Sequence, residues 1–219
     1  QSVGQVLVPA FARLRATSDE AEVALLHRTE TTFMVLCVAG FSLLFASAPL
    51  LCLLVLGERS IDFIWILAPL CLGWLSNTLV SPLFFLLQGR RDLWPLFTTH
   101  VIMSAGALAL GWAGGLVGSL TGALFGVCLA LLASSIWLDI ASGVRARQRA
   151  PWRPAAILPL FAALAGVAAM ALLGAGVPEA HRLLLDLLPV LATAIAILVV
   201  LPLRLMMAIF RSPMRELHP

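Results

Sequence analysis

The sequence has few charged side chains and no lysine. Only 11% of its 219 residues are charged, whereas 61% are hydrophobic, and the mean hydropathy is +1.03. A soluble domain carries about a quarter charged residues, which it needs to cover its surface. The composition therefore argues against a soluble enzyme, a disordered tail and a secreted disulfide scaffold.

The sequence also lacks the common catalytic and cofactor-binding motifs. The sequence has no GxSxG, HExxH, P-loop, Rossmann fingerprint or paired carboxylate set. Its four cysteines lie in apolar runs, and none has the CxxC spacing of a metal or redox site: Cys37, Cys52, Cys71 and Cys128. We therefore expect no enzyme activity, no metal ion and no cofactor.

What the chain has instead is long apolar stretches. Six of them are long enough to cross a hydrocarbon core of about 30 Å at about 1.5 Å per residue. They cover residues 31–56, 61–87, 93–112, 116–140, 154–174 and 183–210, and we expect a very short turn at Ala113-Gly114-Gly115. Residues 1–12 read as the cytosolic end of a further, truncated span, and residues 21–32 as a cytosolic lead-in. Between them, Thr17 and Glu20 have the spacing of a capping box.

The arginines indicate the orientation of these spans. If the N-terminal end of the chain is cytosolic, the inside segments hold twelve arginines and the outside loops two. An excess of basic residues on the cytosolic side is the usual pattern in membrane proteins. We therefore expect both ends of the chain in the cytoplasm, and a membrane rather than a nucleic acid as the reason for the net charge of +3. The inside residues are Arg13, Arg15, Arg28, Arg90, Arg91, Arg145, Arg147, Arg149, Arg153, Arg204, Arg211 and Arg215, and the outside residues are Arg59 and Arg182.

The acidic residues lie at predicted span ends or in loops, and none lies near a predicted midplane. A carboxylate inside the membrane is the usual marker of a proton relay. The pattern thus predicts no coupling of transport to protons or sodium by this segment alone. The acids considered are Glu58, Asp62, Asp92, Asp139, Glu179 and Asp186.

Two polar residues lie inside predicted spans. Asn77 is in the middle of the second span, and His100 is about 13 Å into the third. A polar group at this depth has to face protein or a water-filled cavity. Asn77 either makes a hydrogen bond between helices or lines a substrate cavity. His100 is either a neutral hydrogen-bonding residue or a proton switch.

A basic group closes the second predicted hairpin. Gln88, Arg90 and Arg91 lie at its cytosolic end. Two neighbouring guanidinium groups can hold a phosphate or pyrophosphate by forked hydrogen bonds. They can equally be ordinary cytosolic anchors, and attraction to anionic lipid head groups explains the basic loop that follows the fourth span.

Small residues recur at every fourth position on the fourth predicted span. Gly118, Gly122 and Gly126 form a double GxxxG pattern. Because glycine has no side chain, the backbone of another helix can approach closely there. We expect either static helix packing or a contact that slides during transport.

The order of these features is similar to that of a known transporter family. The chain reads VLVPAFARLRATSDEAE, LLVLGERS, WILAPLCLGWLSNTLVSPLFFLLQGRRDLW and GWAGGLVGSLTGALFG in succession over residues 1–140. It resembles the C-terminal half of the polysaccharide biosynthesis (oligosaccharide flippase) transporters, which belong to the multidrug and toxic compound extrusion superfamily. The last two spans match only the additional helix pair of fourteen-span members.

The resemblance implies an all-α, polytopic membrane helix bundle that forms the C-terminal lobe of a two-lobed transporter. Five segments follow from it: 1–30, the end of a truncated span and lead-in; 31–140, a four-span core; 141–153, a basic cytosolic loop; 154–210, the additional helix pair; and 211–219, a cytosolic tail. Such proteins turn undecaprenyl-pyrophosphate-linked oligosaccharide across the bacterial inner membrane by alternating access. The expected partners are membrane lipids, this substrate, the missing N-terminal lobe of the same protein and polysaccharide assembly enzymes.

Two other functions fit the same pattern. A multidrug or cation antiporter of the same superfamily would need a buried carboxylate, which the sequence does not place at a midplane. A non-transporting membrane assembly subunit would need only the helix-packing glycines. A membrane-embedded enzyme lacks a nucleophile or metal cluster in this sequence.

Overall fold

The computed structural model describes residues 3–58, 60–143, 161, 163–168 and 179–200, and every regular element among them is a helix. Three stretches are long and apolar enough to cross a membrane: Asp19–Ala46, Ile61–Arg90 and Leu93–Ala141. An all-helical chain of membrane-spanning character is therefore confirmed, whereas the count of six spans stays a prediction. The helices are α1 (Val3–Thr17), α2 (Asp19–Ala46), α3 (Ala48–Leu56), α4 (Ile61–Leu79), α5 (Ser81–Arg90), α6 (Leu93–Ala141) and α7 (Glu179–Val200).

Prolines divide two of the predicted spans. Helix α3 has Pro49 in its first turn and α5 has Pro82 in the same position. Proline fits a first turn because its missing N–H would have no helical partner there. The predicted span 31–56 thus consists of the end of α2 followed by α3. The predicted lead-in at residues 21–32 is part of the continuous helix α2.

The cap of α2 differs by one residue from the sequence prediction. Thr17 is the last residue of α1, and its hydroxyl donates back to the carbonyl of Leu14 over 3.1 Å. Ser18 takes the capping role, since its Oγ accepts a hydrogen bond from the backbone N–H of Ala21 over 3.3 Å. A serine side chain in this position satisfies one of the unpaired N–H groups of the first turn.

Helix α6 folds back on itself. Gly118 (φ −127°, ψ 21°) and Ser119 (φ 56°, ψ −144°) interrupt the helix and divide it into arms 93–117 and 120–141. The turn predicted at Ala113-Gly114-Gly115 is therefore wrong by about one helical turn. The cause is that Gly114 is used for packing, because the backbones of Gly114 and Gly122 touch between the arms.

The described helices fall into two compact units, one made of Gln1–Cys37 and Trp65–Pro151 and the other of Val38–Ile64 and Trp152–Pro219. The boundaries between the two units fall inside α2, after Cys37, and inside α4, before Trp65. The predicted spans 154–174 and 183–210 lie partly outside the described residues, as does the basic loop 141–153. The tail 211–219 lies wholly outside them.

The first unit is organised around two helices that run side by side. A Cβ added at Gly4 would lie 3.0 Å from the ring of Phe85, and one at Gly89 would lie 2.8 Å from the Cβ of Phe11. Both pairs advance in the same direction along the chain, so α1 and α5 are parallel and end together. Beside these ends lies a cluster of buried side chains: Phe11, Leu26, Leu83, Leu86, Leu87, Leu96 and Leu138.

The second unit contains the contact of α3 with α7. Residues 163–168 are helical, and Gly166 lies so close to α7 that a Cβ there would be 2.7 Å from the Cα of Pro189. Cys52 ties the following loop to α3, because its sulfur lies 3.2 Å from both the carbonyl oxygen of Glu58 and the backbone nitrogen of Ser60.

Candidate functional site

Four residues of α4 and α5 form a half-exposed line, which we call the polar stripe: Asn77, Ser81, Phe84 and Gln88. Their spacing of four, three and four residues keeps them on one face of a helix. The break at Val80 is mild, since its φ of −90° and ψ of −1° remain in the helical region. Buried residues lie between them, namely Pro82, Leu83, Leu86 and Leu87, and Phe84 itself packs partly against the buried cluster.

The hydroxyls in and beside the polar stripe bond to their own helical segment, and within the stripe the Oγ of Ser81 donates to the carbonyl of Asn77 over 3.5 Å. The hydroxyl of Ser76 donates to the carbonyl of Gly73, and that of Thr78 donates to the carbonyl of Trp74, each over 2.7 Å. Both hydroxyls are thereby satisfied within their own helix. The side-chain amide of Asn77, by contrast, makes no hydrogen bond within the described part of the chain.

His100 joins the polar stripe from α6. Its ring lies 5.6 Å from the ring of Phe84, centroid to centroid, at an interplanar angle of 82°. The imidazole is exposed, and it lies about 10 Å along the helix from Leu93. The structure therefore brings His100 next to Phe84 in the middle of the polar stripe, whereas Asn77 and Gln88 lie at the two ends of the stripe.

The depth of these residues determines what can face them. From Gln88 in the last turn of α5 to Asn77 near the end of α4, the polar stripe extends over about 16 Å of mainly apolar helix. Lipid tails offer no hydrogen bonds, so amide and imidazole groups at this depth belong next to protein or water. The arrangement thus suits a surface that meets a polar cavity rather than hydrocarbon.

A second group of polar residues lies where α1 and α5 end and α2 begins. We call Arg15, Glu22, Arg90 and Arg91 the arginine–glutamate junction. The Nε of Arg90 donates to Oε1 of Glu22 over 3.1 Å, and its Nη2 donates to Oε2 over 2.5 Å. The Glu22 side chain is only 2% exposed, whereas that of Arg90 is 30% exposed.

Helix dipoles favour this arrangement. Arg90 is in the last turn of α5 and Glu22 in the first turn of α2, where a cation and an anion respectively are stabilised. Arg15 adds to it by donating from Nη1 to the carbonyl of Arg90 over 2.7 Å. Arg91 has left-handed backbone (φ 58°) and ends α5, its N–H donating to the carbonyls of Leu87 and Gln88.

These contacts bear on the prediction that Arg90 and Arg91 bind a phosphate together. Arg90 and Arg91 do not form a fork together, because Arg90 is turned toward a carboxylate and Arg91 lies exposed beyond the end of the helix. Sequence reasoning missed Glu22, which is 68 residues from Arg90 in the chain. The signal in the sequence was the spacing of Glu22, Leu26 and Glu30, which follow one another at every fourth position of α2. All three residues are buried.

The three predicted packing glycines have different positions. Gly126 lies against the backbone of Leu110, and Gly122 against that of Gly114, so both allow the arms of α6 to touch. A Cβ added at Gly118 would meet no other atom within 4 Å, because this residue lies in the turn. The close approach is completed by Trp137, whose Nε1 donates to the hydroxyl of Thr98 over 2.9 Å.

Two further carboxylates are more buried than the sequence predicted. Glu30 is 8% exposed on α2, in the stretch expected to be a cytosolic lead-in. Asp186, expected at a span end, is 3% exposed and lies about 10 Å into α7. Within the described residues, no three side chains of histidine, cysteine, aspartate or glutamate are grouped as a metal ion would require.

Comparisons with protein-family models, with curated proteins and with solved structures find no match to this chain.

Proposed function

We propose that this chain is the C-terminal lobe of a membrane transporter that moves undecaprenyl-pyrophosphate-linked oligosaccharide across the bacterial inner membrane. The observation that supports it best is the polar stripe with His100, a hydrogen-bonding surface on an otherwise apolar pair of helices. A carrier of a large polar head group needs such a surface, because an unpaired polar group in hydrocarbon costs several kcal/mol.

Under this proposal, the α6 arms and the polar stripe would lie in different environments. The outer ends of the α6 arms are strongly apolar and exposed, with Trp112 at 71% and Val117 at 92%, and these would face lipid. The polar stripe would face the central cavity between this lobe and its partner lobe. Alternating access would then expose the stripe to one side of the membrane at a time.

The arginine–glutamate junction supports the proposed orientation. The parallel packing of α1 and α5 brings Arg15 next to Arg90, and both residues belong to the inside set predicted from the sequence. A cytosolic location for this end agrees with the positive-inside rule. It also leaves the turn at Gly118 and Ser119 on the opposite, periplasmic side.

Ion-coupled antiport is a second candidate, favoured by the burial of Glu30 and Asp186. A buried carboxylate in a membrane helix is a functional candidate because its charged form is costly there. Replacing Glu30 with glutamine or Asp186 with asparagine would abolish ion-driven transport under this alternative. Asp62→Asn is the matched control, since Asp62 is exposed.

The direct test is a flipping assay with the whole protein that contains this chain. Purified protein is reconstituted in liposomes with a fluorescent undecaprenyl-pyrophosphate oligosaccharide, and a membrane-impermeant quencher reports the outer leaflet. We expect lipid to move between leaflets faster than in protein-free liposomes. Equal rates with and without protein would contradict the proposal, and ion-dependent efflux of a small cation would favour the second candidate.

A further inference from the structure

The chemistry of the polar stripe indicates which part of a lipid-linked substrate it would contact. It offers two amides and, from α6, an imidazole, together with the ring of Phe84, whereas the hydroxyl of Ser81 already donates to the carbonyl of Asn77. Amide and imidazole groups both donate and accept hydrogen bonds, and none of the four stripe residues carries a charge. Such a surface is complementary to a neutral ligand rich in hydroxyl groups.

We propose that the polar stripe is a sugar-binding surface in which Phe84 supports a pyranose ring, Gln88 and His100 bond the hydroxyls of that ring, and Asn77, about 10 Å along the helix from Phe84, bonds a further sugar unit of the oligosaccharide. Phe84 is half-buried, packs partly against the buried cluster, and makes edge-to-face contacts with the rings of Phe85 and His100. Its exposed part can take the apolar C–H face of a sugar. The inference deepens the proposed function and rests on it for the identity of the ligand.

Charge argues against the pyrophosphate as the group bound here. The stripe ends at Gln88, in the last turn of α5, where the helix dipole is negative and disfavours an anion. The guanidinium of Arg90 is already neutralised by Glu22, so an anion would have to displace a buried carboxylate to use it. The exposed residue Arg91 lies beyond the end of the stripe, about 10 Å along the helix from Phe84, so an anion paired with it would lie outside the stripe.

The lipid tail is a poor occupant for a related reason. A tail lying on the stripe would cover Asn77 and Gln88 without offering either amide a hydrogen bond. Each uncompensated amide costs about 1–3 kcal/mol in proteins. A sugar ring, by contrast, brings several hydroxyls to the same face, so the amides exchange water for equivalent partners.

Phe84→Leu removes the aromatic ring with little change in side-chain volume and tests its contact with the sugar. Asn77→Ala and His100→Ala remove the proposed hydrogen bonds to the sugar hydroxyls. Phe97→Leu is the matched control, because Phe97 is 60% exposed and packs on Trp94 instead. Thermal unfolding of every variant shows that it is folded. The assay compares fluorescent undecaprenyl pyrophosphate that carries an oligosaccharide with the same lipid without sugar.

We expect Phe84→Leu to slow flipping of the sugar-bearing lipid about 3- to 10-fold, with the sugar-free lipid and the Phe97 control unchanged. Equal effects on both lipids, or none on either, would overturn the sugar site. Saturation-transfer NMR, which measures binding of the free oligosaccharide, distinguishes a failure of the sugar site from a failure of the flippase proposal. Phe84-dependent binding by a wild-type protein that flips nothing would remove the flippase and keep the sugar site.

Discussion

Arg90 binds both carboxylate oxygens of Glu22, over 3.1 and 2.5 Å, and so fastens the end of α5 to the first turn of α2. The carboxylate is 2% exposed, so it has left water and depends on the guanidinium for its stability. Breaking a buried ion pair leaves one charge without compensation, which is why such pairs are costly to interrupt.

Glu22→Gln should therefore destabilise the protein by about 1–3 kcal/mol, less than for a fully buried pair because Arg90 is partly exposed. Thermal or denaturant unfolding in detergent measures the loss. Arg90→Gln is expected to cost a similar amount, and the double variant to cost less than the sum of the two. Strict additivity would show that the two side chains do not interact in solution.

Gly126→Ala should destabilise the α6 hairpin, because a methyl group there would overlap the backbone of Leu110. Overpacking of this kind costs about 1–3 kcal/mol. Gly40→Ala is the control, since nothing lies within 4 Å of a Cβ at Gly40 and alanine is the better helix former. Similar melting temperatures for the two variants would contradict the close approach of the arms.

Ser119→Gly should stabilise the protein by about 1 kcal/mol or more. Ser119 has φ 56° and ψ −144° in the turn of α6, a backbone region that glycine adopts with far less strain than residues with a side chain. The measurement is the shift in unfolding midpoint. A decrease in stability would indicate that this residue does not have left-handed backbone.

Trp137→Phe should cost about 0.5–1.5 kcal/mol, because it removes the indole N–H that donates to Thr98 across the hairpin. Thr98→Val removes the acceptor of the same bond. We expect the double variant to lose little more than either single one. If the double variant instead lost as much free energy of unfolding as the two single variants added together, the bond would not be formed.

Hydropathy was sufficient to predict much of the fold. The apolar runs predicted membrane-length helices, and the described residues contain three of them. This inference succeeds because desolvation of the backbone acts on each segment separately. The membrane side of Arg15 and Arg90, which are in contact, stays a prediction.

Contacts between distant segments could not be predicted in this way. The Gly114-Gly115 pair reads as a turn, yet glycine serves equally in a turn and in close helix packing, and only the partner arm decides between the two. Glu22 reads as a surface acid, because its partner Arg90 belongs to another helix. The proximity of His100 to Phe84 depends likewise on how α6 packs on α5.

The most direct test of the account is the sidedness of α6. Single cysteines replace Arg91 and Ser119 in a protein whose four native cysteines are removed, and a membrane-impermeant maleimide is applied to intact cells and to inverted vesicles. We predict labelling of residue 119 only from the periplasmic side and of residue 91 only from the cytosolic side. Labelling of both positions from the same side would contradict a hairpin that crosses the membrane twice.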